Sequence, residues 1–125
     1  MDLFSKIKES GILLVDDDEW IRDALSIYFE AEGCHISAYK TAEQALAAMR
    51  RKKFDIIITD YKLPGIDGIA FLKRIQRSHP KAVKIMITAY PSEAVVRQAK
   101  QAGAQQLLPK PFTSETIEAC LSQLL

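Results

Sequence analysis

Two patterns of apolar residues alternate along the chain. Gly11-Ile-Leu-Leu-Val15, the run Ile56 to Ile58, and Val83-Lys-Ile-Met-Ile-Thr88 are near-continuous and of strand length. Such runs belong to strands buried on both faces. Residues 34–39 and 104–108 read as shorter second and fifth strands. Between these stretches the apolar positions recur at helical spacing, first as Ile21, Ala24, Leu25, Tyr28 and Phe29. The same spacing returns in Ala45, Leu46 and Met49, in Ile69, Leu72 and Ile75, in Val95, Val96 and Ala99, and in Ile117, Cys120, Leu121 and Leu124. Five strands alternating with five helices predict an α/β fold, a parallel sheet covered on both faces by right-handed crossovers.

The polar residues punctuate that pattern. Acidic residues open the first helix, where the helix dipole favours them, and Gly33 stops it. Thr41-Ala-Glu-Gln44 has the form of a capping box, and Asp67 and Thr113 stand at cap positions. One helix is expected to end before Pro80, and Pro91-Ser92-Glu93 opens another at a position that tolerates proline. Residues 1–10 form a polar arm with Leu3, Phe4 and Ile7 at helix-like spacing, either an extra turn of helix or a frayed end. Residues 11–125 read as one domain without repeat, linker or low-complexity tract.

Composition narrows the class. With 125 residues, 48% hydrophobic and 26% charged, the chain can bury a core without disulfide or metal. A net charge of +1 suggests neither direct nucleic-acid binding nor a membrane surface. No apolar run approaches the ~18 residues of a bilayer span, and residues 1–10 lack the apolar core of a secretory signal, so a cytoplasmic protein is expected. Cys34 and Cys120 lie in unrelated apolar segments without CxxC spacing and are expected to be buried, reduced thiols.

The chemistry collects where strands end. Asp16 and Asp17 follow the first strand, Asp60 closes the third before a Pro/Gly turn, Thr88 closes the fourth, and Lys110 follows the fifth. In open parallel sheets ligands bind at that edge. Each residue has an ordinary structural use: Asp60 can accept hydrogen bonds from turn amides, Asp17 or Asp18 can cap a helix, Thr88 can serve a turn, and Lys110 can be a solvated cation. Their convergence on one edge is what those uses do not explain. Three close carboxylates repel one another unless a divalent cation neutralises them, and oxygen ligands of this kind suit Mg²⁺. A metal with open positions clamps a phosphoryl group, an Asp carboxylate is a competent nucleophile toward phosphorus, and Lys110 and Thr88 are donors for the charge on that group. Pro111 restricts the backbone after Lys110, and this X-Pro bond is a candidate for the cis form.

Over residues 11–125 the sequence resembles a response-regulator receiver domain of two-component signalling, similar to chemotaxis-regulator receivers. The resemblance rests on Leu14-Val-Asp-Asp17 with Arg22 in the next helix, Ile58-Thr-Asp60-Tyr-Lys-Leu-Pro-Gly-Ile-Asp-Gly68, Ile85-Met-Ile-Thr-Ala89, and Gly103-Ala104 leading to Lys110-Pro111-Phe112. It implies a flavodoxin-like (βα)5 sheet of strand order 2-1-3-4-5. By resemblance Asp60 is the phosphoacceptor, charged from the phosphohistidine of a histidine kinase or phosphotransfer protein. Asp16, Asp17, Asp60 and the main-chain carbonyl of Lys62 then hold Mg²⁺, while Thr88 and Lys110 meet the phosphoryl oxygens. Only self-phosphorylation and slow self-dephosphorylation are implied, so the domain is a signalling module, not an enzyme, that controls a partner protein or output domain.

Several positions depart from the receiver pattern. Leu107 stands where many receivers carry a switching Tyr or Phe, and Tyr90 is the alternative mobile ring. Lys62 places a second cation near the phosphoryl group, where it and Tyr90 would restrict the attacking water. Trp20 is expected to pack. Gln105-Gln106 replaces the acidic pair of receivers that dimerise through charge networks on the face of helix four, strand five and helix five. Two other classes fit less well. A haloacid-dehalogenase-type phosphatase needs a second Asp where Lys62 stands, and a flavin carrier needs a Ser/Thr/Gly loop where the aspartates stand. A receiver-like module acting without phosphorylation would have lost one of the acidic, threonine and lysine set, and all are present. No output domain follows Leu125, so a free-standing receiver or one module of a longer regulator is expected.

Overall fold

A computed structural model describes residues 2–125; Met1, the first residue of the predicted arm, lies outside the described residues. The chain runs α1 (Leu3–Ile7), β1 (Gly11–Val15), α2 (Glu19–Ala31), β2 (His35–Tyr39), α3 (Ala42–Met49) and β3 (Ile56–Asp60), then α4 (Gly68–Ile75), β4 (Val83–Thr88), α5 (Glu93–Gln101), β5 (Gln106–Pro109) and α6 (Ser114–Leu124). All strand pairs are parallel, in the order β2-β1-β3-β4-β5. This is the flavodoxin-like sheet that the resemblance implies.

The register brings the C-terminal strand ends level. Val15 pairs with Tyr39 on one side and Thr59 on the other, Asp60 pairs with Ile87, and Thr88 pairs with Pro109. The polar residues that end or follow β1, β3, β4 and β5 therefore share one rim. Two apolar layers hold that rim in place. Leu13, Val15, Ile57 and Met86 face α3, α4 and α5 on one side, and Ile12, Leu14, Ile56, Ile58, Ile85 and Ile87 face α1, α2 and α6 on the other. Phe29, Phe54 and Phe71 are fully buried, each contributing about 1.5–3 kcal/mol of apolar burial. Cys34 and Cys120 are buried free thiols.

Element ends follow from where backbone N–H groups are spent. Gly33 has φ 80°, and the N–H of Cys34 bonds to the Phe29 carbonyl at 3.0 Å, so β2 begins one residue later than the apolar run suggests. Gly103 has φ 107°, and Ala104 N–H bonds back to Ala99 at 2.9 Å in the same way. β5 accordingly starts at Gln106, not at Ala104. Thr41 caps α3, Asp67 caps α4, and Thr113 forms a full capping box with Thr116 on α6. In α3 the Gln44 side chain reaches the N–H of Lys40 instead of that of Thr41. The cap of α5 is Ser92, with Pro91 one position outside.

The arm resolves as a short helix. Asp2 caps α1, Ile7 is buried, and Phe4 meets the Tyr28 ring edge-on at 5.9 Å between centroids. Tyr28 in turn donates to Glu118 at 2.6 Å, which joins α2 to α6. Trp20 corrects an expectation: it is 85% exposed and does not pack. The expected inward face of α2 is carried by Leu25 and Phe29, with Ala24 exposed. Leu107 is half-buried against the α3–α5 layer, and the Lys110–Pro111 peptide is cis.

Candidate functional site

Asp16 is the first residue beyond β1, and four contacts fix it. Its N–H bonds to Tyr39 at 3.1 Å, its carbonyl accepts from Arg22 Nη1 at 2.9 Å, and its Oδ1 accepts from the N–H of Asp18 at 2.9 Å. Its remaining oxygen, Oδ2, is buried and lies 3.1 Å from Lys110 Nζ. That pair has ion-pair distance without hydrogen-bond alignment, so Oδ2 receives no hydrogen bond. Asp18 turns away to cap α2 through Trp20 N–H, whereas Asp17 remains exposed. One acid of the run thus serves the helix and two stay with the rim.

Asp60 reaches the same place from β3. It is 5% exposed and accepts from Lys110 Nζ at 3.1 Å through Oδ2. One ammonium group is shared between two buried carboxylates. Burial, and then the negative charge of Asp16, push Asp60 up to about 6 in spite of Lys110. Burial alone would lower Lys110, but Asp16 and Asp60 outweigh it and raise the ammonium above its ordinary value. The two shifts point the same way: Asp16 and Asp60 together carry more negative charge than Lys110 neutralises.

Asp16, Asp17 and Asp60 each offer a carboxylate oxygen within 4.8 Å of the others. A buried oxygen without a donor, in a cluster of hard oxygen ligands, is the donor set of a divalent cation such as Mg²⁺ or Ca²⁺. Thr88 stands beside this cluster, one residue beyond the Asp60–Ile87 pair. Its carbonyl accepts from the Lys110 N–H at 2.7 Å, so β4 fixes the backbone that carries the lysine. Its Oγ accepts from Tyr90 N–H at 2.9 Å, which leaves its own proton to donate. Gly68 shows how tightly the loop after β3 is drawn in. Its N–H bonds to Tyr61 at 2.8 Å, and a Cβ there would collide with the Asp60 carbonyl.

Lys62 does not join the others through its side chain. It is exposed, and its ammonium lies 5.2 Å from the centre of the Tyr90 ring. The two line a cavity of about 700 Å³ with Tyr61, Asp67 and Pro91. A second cavity, of about 670 Å³, lies between α2 and the loop from β5 to α6 and includes Asp18, Trp20, Lys110 and Phe112. Neither is lined by Asp16 or Asp60. Arg22 is the positioning residue whose role the sequence does not specify; it is the one basic residue of α2, six positions after the carbonyl it holds.

The family model for the response regulator receiver domain matches residues 12–122. The chain belongs to the response regulator receiver family. It is 33% identical over 118 residues to the DNA-binding transcriptional regulator NtrC of Salmonella typhimurium, covering 94% of this chain and 25% of that protein. The receiver thus spans about a quarter of the length of the NtrC relatives it matches. Among solved structures it is similar to the chemotaxis response regulator CheY4 of Vibrio cholerae, with a TM-score of 0.88 at 29% identity over 93% of this chain and 98% of that one. It also superposes on a response regulator from Burkholderia pseudomallei with a TM-score of 0.83 at 27% identity, covering 92% and 70% of the two chains. That structure is described as holding a phosphorylated aspartic acid, a calcium ion and citrate. Phosphorylation-based switching is the function of the family. Among the described residues no helix is long and apolar enough to cross a membrane.

Proposed function

We propose that Asp60 of this receiver is the phosphoacceptor, and that Asp16, Asp17 and Asp60 hold Mg²⁺ together with the main-chain carbonyl of Lys62. The observation that carries this reading is the shared lysine: Lys110 lies 3.1 Å from both Asp16 and Asp60, beside the third carboxylate. When bound, Mg²⁺ supplies charge neutralisation for the carboxylates and for the phosphoryl oxygens. Lys110 pins Asp60 Oδ2, so attack falls to Oδ1. A bond forms between Oδ1 and phosphorus as the bond to the donor's imidazole nitrogen breaks, and the electron pair leaves with the imidazole. Thr88 donates its free hydroxyl proton to a phosphoryl oxygen, and Lys110 shifts its charge to another. The donor is a histidine kinase or phosphotransfer protein, and an output domain or partner protein reads the result. The working unit is the receiver, residues 11–125, with the arm of residues 1–10 attached, and its setting is the cytoplasm.

Incubation with Mg²⁺ and acetyl phosphate, followed by intact mass, tests the assignment. A phosphate-sized gain on wild type that is absent from Asp60→Asn supports it. A gain on both, or on neither, refutes it.

Trp20 offers a second readout, because its exposed indole stands three residues from Asp17 on the first turn of α2. Its fluorescence is expected to change as Mg²⁺ is titrated, and Asp17→Ala to abolish the change. A response that survives in the variant would place the metal elsewhere.

Lys62, in the loop after Asp60, holds the Tyr90 ring, in the loop after Thr88, at 5.2 Å. Together they restrict the water that hydrolyses the aspartyl phosphate. Lys62→Ala is therefore expected to lose its phosphoryl group several-fold faster, measured by phosphate release after donor removal. An unchanged rate would show that the pair does not shield the site.

A further inference from the structure

The rim opposite the phosphoacceptor carries the chain's densest positive charge, hidden by a net charge of +1. Arg50, Arg51, Lys52 and Lys53 follow one another at the end of α3, and no Asp or Glu occurs from residue 68 to residue 92, where Arg74, Arg77 and Lys81 stand. α3 and α4 lie on the same face of the sheet and lead into the adjacent strands β3 and β4. Their connectors meet: a cavity of about 360 Å³ is lined by Lys53, Phe54 and Asp55 from one and by Ser78, His79 and Lys81 from the other.

These cations are exposed, and among the described residues none of them forms an ion pair. Within the two connectors, residues 50–55 and 76–82, the one acid is Asp55, and it is engaged by the N–H of Gly11 at 3.1 Å. Helix-dipole compensation accounts for Arg74, in the last turn of α4, and for Arg50, the C-cap of α3, but not for Lys53 or Lys81, which lie farther along the connectors. Among the described residues the two connectors carry no exposed large hydrophobic side chain; those are Trp20, Ile27, Tyr90 and Leu125, on other elements. Stable protein interfaces centre on buried aromatic or aliphatic anchors, and membrane-surface binding inserts apolar side chains. A predominantly cationic, arginine-bearing surface with neither feature matches the phosphate backbone of a nucleic acid, which guanidinium groups engage in bidentate fashion.

We infer that this rim is a sequence-independent contact for nucleic-acid phosphates, formed by Arg50, Arg51, Lys53, Arg74, Arg77 and Lys81. Net charge pointed away from nucleic acid because it sums over the molecule, whereas a polyanion meets a local distribution. The contact is separate from the phosphoacceptor rim and does not depend on the state of Asp60.

Fluorescence anisotropy of a labelled duplex of about 20 base pairs and arbitrary sequence tests it, at salt from about 25 to 200 mM. Binding is expected at low salt, with affinity falling on a log–log slope of about −4. The double variant Arg74→Glu/Arg77→Glu should weaken it at least tenfold, and the milder Arg74→Gln/Arg77→Gln should shrink the slope by about 2. Lys40→Glu/Arg97→Glu changes net charge as much, away from this rim, and should leave binding within about twofold of wild type. No anisotropy change at low salt would overturn the inference, as would equal losses in the rim and control variants. Tighter binding to polyglutamate, or to anionic phospholipid vesicles of matched charge, would also overturn it, in favour of an acidic protein or a lipid surface.

Discussion

Lys110→Ala is expected to destabilise the metal-free protein by about 3 kcal/mol at pH 8, the lower end of the cost of removing one partner from a buried ion pair. The lower end applies because the lysine side chain is 19% exposed and water can partly replace it. What remains is two buried carboxylates facing each other without a cation. The lysine's own contribution is present at any pH below its ordinary value of 10.5, since its folded value is raised, and is lost only above that. The carboxylates respond at lower pH. Asp60 takes up a proton as pH falls through about 6, the repulsion ends, and the cost of Lys110→Ala should shrink at pH 5. Urea midpoints in EDTA at the two pH values measure both effects, and equal midpoints for variant and wild type at pH 8 would contradict the shared-lysine geometry. The same variant should be phosphorylated about a hundredfold more slowly, the usual loss when one fixed donor to a charged transition state is removed.

Asp60→Asn should move stability in the opposite direction. A carboxyl group raised in the folded state stabilises the fold only while it is protonated, so its contribution is complete below 3.8 and is lost as pH rises through about 6. Ionised Asp60 therefore weighs against the metal-free fold at pH 8. The rise of Asp60 from 3.8 to about 6 corresponds to about 3 kcal/mol at most, and local relaxation reduces the expected gain of the amide to about 2 kcal/mol. Asparagine keeps an oxygen for Lys110 but carries no charge, so the gain should vanish at pH 4. Adding Mg²⁺ at pH 8 should reverse the order, because the ion stabilises the wild type and finds only two carboxylates in the variant. Thermal melts at pH 4 and pH 8, each with EDTA or Mg²⁺, give the four comparisons. An Asn variant no more stable than wild type in EDTA at pH 8 would mean that Asp60 is not held among like charges.

The rim was legible in the sequence because its parts are backbone-determined. An apolar run that stops at Asp16, Asp60 or Thr88 fixes where the strand ends, and parallel strands put such ends level. Caps were legible for a similar reason, since Thr41, Asp67 and Thr113 act on N–H groups three residues away. Strand order was not, because apolar alternation constrains neighbours in sequence more than neighbours in space; it came from the family resemblance. The arm was also undecided, since a five-residue helix is too short to form by propensity and rests on the burial of Ile7. Trp20 looked like core because large aromatic residues usually bury, yet its position on α2 points away from Leu25 and Phe29. Lys84 is the inverse case, a cation inside β4 that stays buried by donating to the His79 carbonyl at 2.7 Å. Charge segregation between the two rims was missed because composition is a sum.

Borohydride trapping offers the most direct look at the site, because hydride reduces an acyl phosphate to an alcohol and leaves a free carboxylate untouched. Treated with Mg²⁺ and acetyl phosphate, reduced, digested and mapped by mass, the protein should carry homoserine at position 60 and nowhere else. Omission of Mg²⁺ should remove that product. Homoserine at Asp16 or Asp17, or none at position 60 in a protein that has gained phosphate, would contradict the assignment of Asp60 as the nucleophile.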